Sequence, residues 1–329
     1  MMAGASPGKA ASDMVKGRPD TGFLRLGEGV GVLLWALGFA IPAFFDSSWV
    51  SIAAIFAIFA ITALSEDVIL GRGGMFDMGH AVYFGIGAYV TAILNTTWGV
   101  PILVTVPAAI LLAAAVGALL AGPLIRLRGD YLLVATIGFN SIFVLAMQNN
   151  PGDITGGSDG ITGIDVFSLF GVPLFSQSAM FWLDWAVMGG VLVLMRNLDR
   201  CEFGRALRYL KQDELAATTL GVDARAVKTL AFAVGAGLAG LAGTLFAVQL
   251  STVSPSSFVF TESVTLFAIV IVGGPGSIPG VLLGTALMFV VPQIFRDFAQ
   301  YRYFVFGIAM IAVMVLRPQG LWPRRRNGR

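Results

Sequence analysis

An aspartate and the chain's only histidine stand three residues apart in the glycine-rich stretch "ILGRGGMFDMGHAVYFGIGAY", residues 69 to 89. Between apolar runs, an ionisable pair such as Asp77 and His80 has the chemistry to relay a proton across a membrane. At the end of a span, the same two side chains would serve as helix caps or meet water. Asn140, Gln148, Glu262 and Gln293 are the other polar groups at or near apolar depth. Such groups line a path or hydrogen-bond between helices. No nucleophile, base and orienter combination is visible, and Cys201 is the single cysteine, so an intrachain disulfide and a CxxC metal site are excluded. One histidine also makes a histidine-built metal centre unexpected, and no metal ligand set is assigned. The Gly-x-x-x-x-Gly-Lys-Ser/Thr phosphate loop is absent. No cofactor is expected in this chain, and if ATP powers its work, another chain must hold and hydrolyse it.

These residues sit in a chain of 329 residues that is 57% hydrophobic and only 12% charged, with a mean hydropathy of +0.83. That composition belongs to polytopic membrane proteins. About 20 apolar residues cross a bilayer. Ten stretches approach that length: 29–45, 50–65, 79–95, 100–121, 131–149, 179–195, 229–250, 258–273, 278–295 and 301–316. The fold class expected is therefore all-α and polytopic, with about ten transmembrane helices; some stretches are short enough to make the count nine. The first 28 residues have no apolar core, so a cleaved leader is not expected. The domain reading is an N-terminal tail (1–28), a transmembrane domain (29–316) and a basic C-terminal tail (317–329).

Lysine and arginine bias sets orientation, because cationic residues resist translocation. With an inside N-terminus and ten spans, 19 of the 21 basic residues fall on the cytoplasmic side. Only Arg296 and Arg302 fall outside, while the segment from Gln148 to Met195 carries Asp153, Asp159, Asp165 and Asp184 but no Lys or Arg. Both termini are then cytoplasmic. The tail "RPQGLWPRRRNGR" reads as the cytoplasmic cap that this topology requires, in preference to a lipid-headgroup or nucleic-acid patch.

Two segments interrupt the apolar pattern in matching places. The first contains Gly73, Gly74, Asp77, Gly79 and His80; the second, "IVGGPGSIPGVLLG" (271–284), contains Gly273, Gly274, Pro275, Gly276, Pro279 and Gly280. Glycine and proline at this density break helices, and broken backbone at membrane depth survives only inside protein or beside a water-filled cavity. Both segments follow an inward-going span, which suggests a parallel internal repeat with the breaks near a pathway, together with Asn140. Tight cytoplasmic turns and close helix packing would leave the same pattern.

Two polar segments remain. Residues 149–178, with Thr155, Gly156, Gly157 and Asp159, are too long for a tight turn and suit a periplasmic docking surface or lid. Residues 196–228 lie on the cytoplasmic side. There Phe203, Ala206, Leu207 and Leu210 recur at helical spacing opposite Arg205 and Arg208. Asp213 is placed to cap a second short helix running from Glu214 through Ala216 and Ala217 to a stop at Gly221, and Asp223 to cap the next span. An apolar stripe here has no core to fill in the ten-span reading, so it would rest on the membrane surface or in a partner's groove.

Here the chain resembles the permease subunits of bacterial ABC importers for branched-chain amino acids, of the LivM type. "GRALRYLKQDELAATTLGV" is similar to that family's cytoplasmic coupling segment, with Gly204, Glu214, Ala216, Ala217 and Gly221. "MGHAVYFGIGAY", "RLRGDYLLVATIGF", "TGGSDGI", "GGPGSIPGVLLGTAL" and "FGIAMIAVMVLRPQGLW" resemble its other stretches, so the likeness covers most of residues 50 to 323. The resemblance implies an importer in the bacterial inner membrane, built with a second permease of the LivH kind, two cytoplasmic ATP-binding subunits carrying ATP and Mg, and a periplasmic solute-binding protein. Residues 202–221 would seat in an ATPase groove, and Thr155, Gly156, Gly157 and Asp159 would meet the binding protein. No nucleic-acid partner is implied. The stretch "SEDVILGRGGMFDMGH" departs from the family pattern by its charges: Glu66, Asp67, Arg72 and Asp77. Those charges fit either a more polar solute, such as urea or a short amide, or a local salt-bridge set. The reading of a different class is an ion-coupled secondary transporter.

Overall fold

A computed structural model describes residues 46–290 except 128, 170, 171, 174 and 175, together with 35, 38, 39, 42, 304, 307, 308, 311, 315 and 320–322. In chain order the helices are α1 (Ser47–Glu66), α2 (Ala81–Trp98), α3 (Ile102–Leu124), α4 (Asp130–Gln148), α5 (Gln177–Arg200), α6 (Glu202–Gln212), α7 (Glu214–Thr219), α8 (Ala224–Leu250), α9 (Phe260–Gly273) and α10 (Ile278–Thr285). A π-helical turn, Asp67–Arg72, extends α1, and another, Ala286–Val290, extends α10.

Six of these segments are long and apolar enough to cross a membrane: Ser47–Arg72, Ile102–Leu124, Asp130–Gln148, Gln177–Arg200, Ala224–Leu250 and Pro255–Gly273. The stretches expected at 79–95 and 278–295 fall on α2 and on the shorter Ile278–Val290. Those expected at 29–45 and 301–316, both tails and Gln293 lie wholly or mostly outside the described residues. The chain is a helical, multi-pass membrane protein.

The fold is organised around α8. Asp223 caps it by accepting from the main-chain N–H of Arg225 (2.9 Å) and Ala226 (3.1 Å). Its sequence is unusually rich in glycine and alanine, and Ala231, Gly235, Ala236, Gly240 and Gly243 are all buried. Inside a membrane there is no hydrophobic gain from helix association, because lipid is as apolar as a leucine side chain; close backbone approach and hydrogen bonding must do the work. The structure shows both. A Cβ on Gly243 would lie 2.0 Å from the Phe84 carbonyl of α2, and one on Gly87 would lie 2.1 Å from the Gly240 carbonyl. The hydroxyls of Thr91 and Thr244 meet at 2.9 Å across the same contact. α3 packs on another side of α8, and α1 on a third.

This contact makes a direct prediction. Gly243→Leu cannot be accommodated, since even single added methylenes in a packed core cost about 1–3 kcal/mol. Folded protein recovered from membranes, read by size-exclusion profile, should collapse for Gly243→Leu and persist for Gly138→Leu, whose added Cβ meets nothing within 4 Å.

α4 is covered on one narrow face only, by Leu132, Thr136 and Asn140, spaced four residues apart. The long loop after it is ordered by two short antiparallel pairings. Ile161–Thr162 (β1) pairs antiparallel with Thr252–Val253 (β4), just beyond α8, and Ser168–Leu169 (β2) pairs with Val172–Pro173 (β3). Asn95 ties the loop to the end of α2: its amide donates to Asp165 at 3.0 Å and its carbonyl oxygen accepts from the Asp165 N–H at 2.9 Å. Asp184, expected among the acids of that outer segment, is instead fully buried within α5.

Candidate functional site

The first break begins where α1 gives way to the π-helical turn. Residues 73–80 then run without regular structure to the start of α2, with Gly74 at φ +68°. Gly73, Asp77, Gly79 and His80 are buried and Gly74 half-buried. Asp77 closes a tight turn by accepting from the Gly79 N–H at 2.8 Å. His80 does not cap α2 through its side chain, and neither residue reaches water, so the expectation that they meet solvent at a span's end is not what the structure shows. The ring is instead clasped. Ser65 donates its hydroxyl proton to the Thr62 carbonyl (2.6 Å), which leaves its oxygen to accept from His80 Nε2 at 2.7 Å. On the other edge, His80 Nδ1 lies 2.8 Å from Glu66 Oε2 and 3.4 Å from Asp77 Oδ2.

Glu66, Asp77 and His80 form the trio of potential ligands that converges among the described residues, with one atom from each lying within 4.8 Å of the others. The 2.8 Å contact between Nδ1 and Oε2 is shorter than the roughly 3.3 Å edge that two ligands keep around a tetrahedral ion with bonds near 2.0–2.1 Å. It is the spacing of a close polar contact. Nε2 is hydrogen-bonded to Ser65, while Nδ1 stands close to both carboxylates.

The neighbouring charges are paired in a second set. Arg72 contacts Asp67 on one side and grips Asp199 of α5 on the other, with Nε to Oδ1 at 3.1 Å and Nη2 to Oδ2 at 3.2 Å. The charges that depart from the family pattern are thus matched within the protein. A crevice too tight to admit water, lined by Asp77, Gly79, Tyr83, Thr136 and Phe139 among others, adjoins them.

The second break is shorter. Only residues 274–277 leave helical structure, with Gly274 at φ +118° and Gly276 at φ +83°; Gly273 ends α9, and Pro279 and Gly280 already lie in α10. Its exposed backbone is covered by the chain's own C-terminal segment. Leu321 N–H donates to the Val272 carbonyl (2.8 Å) and Trp322 N–H to the Gly273 carbonyl (3.0 Å). Both readings of the breaks therefore find support in the geometry: they are tightly packed turns, and they are broken backbone satisfied inside protein. Asn140 is buried and donates to the Phe258 carbonyl at 3.1 Å, which is a bond between elements.

Residues 202–221 form two short helices, α6 and α7. Asp213 accepts from the Ala216 N–H (3.0 Å) at the start of α7. Gly221, at φ +88°, closes it: its N–H donates to Thr218 and that of Val222 to Ala217. One expectation is corrected. The apolar stripe of α6 is not left without a core, because Leu207 and Leu210 are buried against the chain itself, and Gly204 sits beneath the Leu198 carbonyl. The preceding helix α5 and the turn after α1 supply that core, which the spacing of α6 alone does not reveal. Phe203, Arg208 and Glu214 are half-buried and Ala217 is buried, while Arg205, Asp213, Ala216 and Gly221 remain exposed. Glu214 pairs with Lys228 at 2.7 Å. The apolar surface still free on this segment is Leu215 (77% exposed), Leu220 (85%) and Tyr209 (58%).

In the loop after α4, Asn150 Oδ1 gathers the N–H groups of Thr155 (2.8 Å) and Gly156 (3.1 Å), and Thr155 is buried. Thr155 therefore shapes the loop rather than presenting itself, while Gly156 and Asp159 are exposed and Gly157 half-buried. Asp199 and Lys211 were not singled out from the sequence. The signal available was slight: Asp199 is one acid among Arg196, Arg200, Arg205 and Arg208.

Comparison with known proteins places these features. The family described as the permease component of the branched-chain amino acid transport system matches residues 48–314. The high-affinity branched-chain amino acid transport permease LivM of Escherichia coli is 38% identical over 319 residues, covering 90% of this chain and 75% of that protein. BraD of Pseudomonas aeruginosa is 28% identical over 81% of this chain and 92% of its own length, and LivH of Escherichia coli is 24% identical over 81% and 91%. No solved structure matches. The chain belongs to the family of branched-chain amino acid transport permeases: it is a membrane transport subunit, not an enzyme.

Proposed function

We propose that this chain is one of two permease subunits of an ATP-powered importer in a bacterial inner membrane, and that it forms half of the path for branched-chain amino acids. The observation that carries the reading is the family match across residues 48–314 together with 38% identity to LivM over nine-tenths of the chain. Its partners are a second, LivH-like permease, two cytoplasmic ATP-binding subunits holding ATP and Mg, and a periplasmic binding protein that supplies most of the selectivity. Ten spans, both termini in the cytoplasm and a parallel repeat built on the two breaks complete the reading. The segment 202–221 receives the ATPase, and the loop around Gly156 and Asp159 receives the binding protein. The polar-solute alternative loses its motive, since Glu66, Asp67, Arg72 and Asp77 face partners in their own chain.

The test is reconstitution in liposomes with the partner subunits. Radiolabelled leucine should accumulate only with ATP on the side of α6 and α7 and loaded binding protein on the other. Uptake by this chain alone, driven by an ion gradient, would overturn the reading in favour of a secondary transporter.

A further inference from the structure

The first break opens on Gly71, Gly73 and Gly74, and the second runs from Gly274 to Ser277, so at these points the backbone itself is the handle. A charged side chain holds each. Lys211 of α6 donates its ammonium to the Gly71 carbonyl in the first break at 2.5 Å. Asp67 accepts from the Gly276 N–H in the second break at 2.6 Å. Hydrogen bonds with one ionised partner are about twice as strong as neutral ones.

Arg72 joins the two grips. It contacts Asp67 and holds Asp199 by two nearly parallel bonds, at 3.1 and 3.2 Å. Asp199 is the penultimate residue of α5, and Arg208 of α6 reaches both its carboxylate (3.4 Å) and its carbonyl (3.1 Å). Asp67 and Arg72 are buried, Asp199 and Arg208 are half-buried, and the two acids face the two arginines.

We propose that Asp67, Arg72, Asp199 and Lys211 form a transmission link, a set of positioning residues that ties cytoplasmic helix α6 to both glycine breaks. Movement imposed on α6 by an ATPase then displaces the two breaks together instead of deforming α6 alone. The proposal rests on the permease reading above and adds the route by which the stroke enters the membrane. None of the four residues touches the solute or ATP in this scheme.

The experiment uses the complete importer in liposomes, with its cognate binding protein and radiolabelled leucine, and records ATP hydrolysed and leucine accumulated in the same vesicles. Asp199→Asn, outside the segment 202–221 that receives the ATPase, removes the charge that Arg72 and Arg208 share; Lys211→Met, at an exposed position inside that segment, keeps the aliphatic stem, and its hydrolysis is compared per ATP-binding subunit co-purified. The expected result is ATP hydrolysis close to that of the unmodified importer, with leucine moved per ATP falling by about 5- to 150-fold, the range that coupling between sites spans. Lys211→Arg and Asp199→Glu should restore most of the ratio. Unchanged leucine per ATP in both variants overturns the link, as does a proportional fall of hydrolysis and uptake, which is the mark of a merely structural role. If the unmodified importer shows no uptake dependent on ATP and binding protein, the permease reading and the link that rests on it fall together.

Discussion

Leu215→Asp combined with Leu220→Asp abolishes ATP-driven uptake while the chain still accumulates in the membrane. The two leucines are 77% and 85% exposed on and just beyond a short helix on the charged side of the molecule. Their neighbours on α6, Leu207 and Leu210, are already committed to the protein's own interior. The apolar surface left for a partner is therefore mainly Leu215 and Leu220, with Tyr209 on α6. Fully burying a leucine stabilises by about 1.5–3 kcal/mol, so losing two such contacts weakens an interface by at least about 100-fold. Co-purification of the ATP-binding subunits with the tagged permease measures this directly. Normal recovery of those subunits with the double variant would move the interface away from α7.

His80→Leu is expected to remove most of the folded protein. The substitution leaves Glu66 and Asp77 facing each other, both buried, without the ring that lies 2.8 and 3.4 Å from their oxygens. Removing one partner of a buried ionic set costs about 3–5 kcal/mol, a large share of a total stability of about 5–15 kcal/mol. The cost arises from the charges left behind, so removing them too should recover the fold. Glu66→Leu, Asp77→Asn and His80→Leu together do this, with the asparagine oxygen still able to accept from Gly79. Thermal midpoints in detergent, compared between the single and triple variants, give the measurement. Leucine uptake by the recovered triple variant would also exclude the proton-relay role that the sequence leaves open for Asp77 and His80.

The helical pattern of this molecule is largely written in its apolar periods, because a span must satisfy its backbone within itself and so shows as a run of fixed minimum length. The caps at Asp213 and Asp223 and the stop at Gly221 are legible for a similar reason: each is a local backbone requirement. The pairing of side chains across the fold is not legible in this way. His80 meets Glu66 across the first break, and Arg72 meets Asp199 from 127 residues away. Neither contact leaves a periodic trace. The apolar stripe of α6 shows the limit most plainly, since helical spacing reveals that a face is apolar but not whether the same chain covers it. Thr155 fails in the opposite sense: a residue in a polar, glycine-rich loop reads as surface, yet Asn150 folds the loop around it and buries it.

Helix α8 runs for 27 residues without a break or an internal proline. At a rise of 1.5 Å per residue, that is a rod of about 40 Å. Beyond one end, Thr252 and Val253 are stitched to the loop residues Ile161 and Thr162; near the other, Lys228 is pinned to Glu214 of α7. The two surfaces on which partners would sit are therefore the opposite ends of one long beam, seated in the protein by close backbone contacts together with buried side chains. A binding protein pressing on one end and an ATPase holding the other would share a mechanical member, with no relay of intermediate contacts between them.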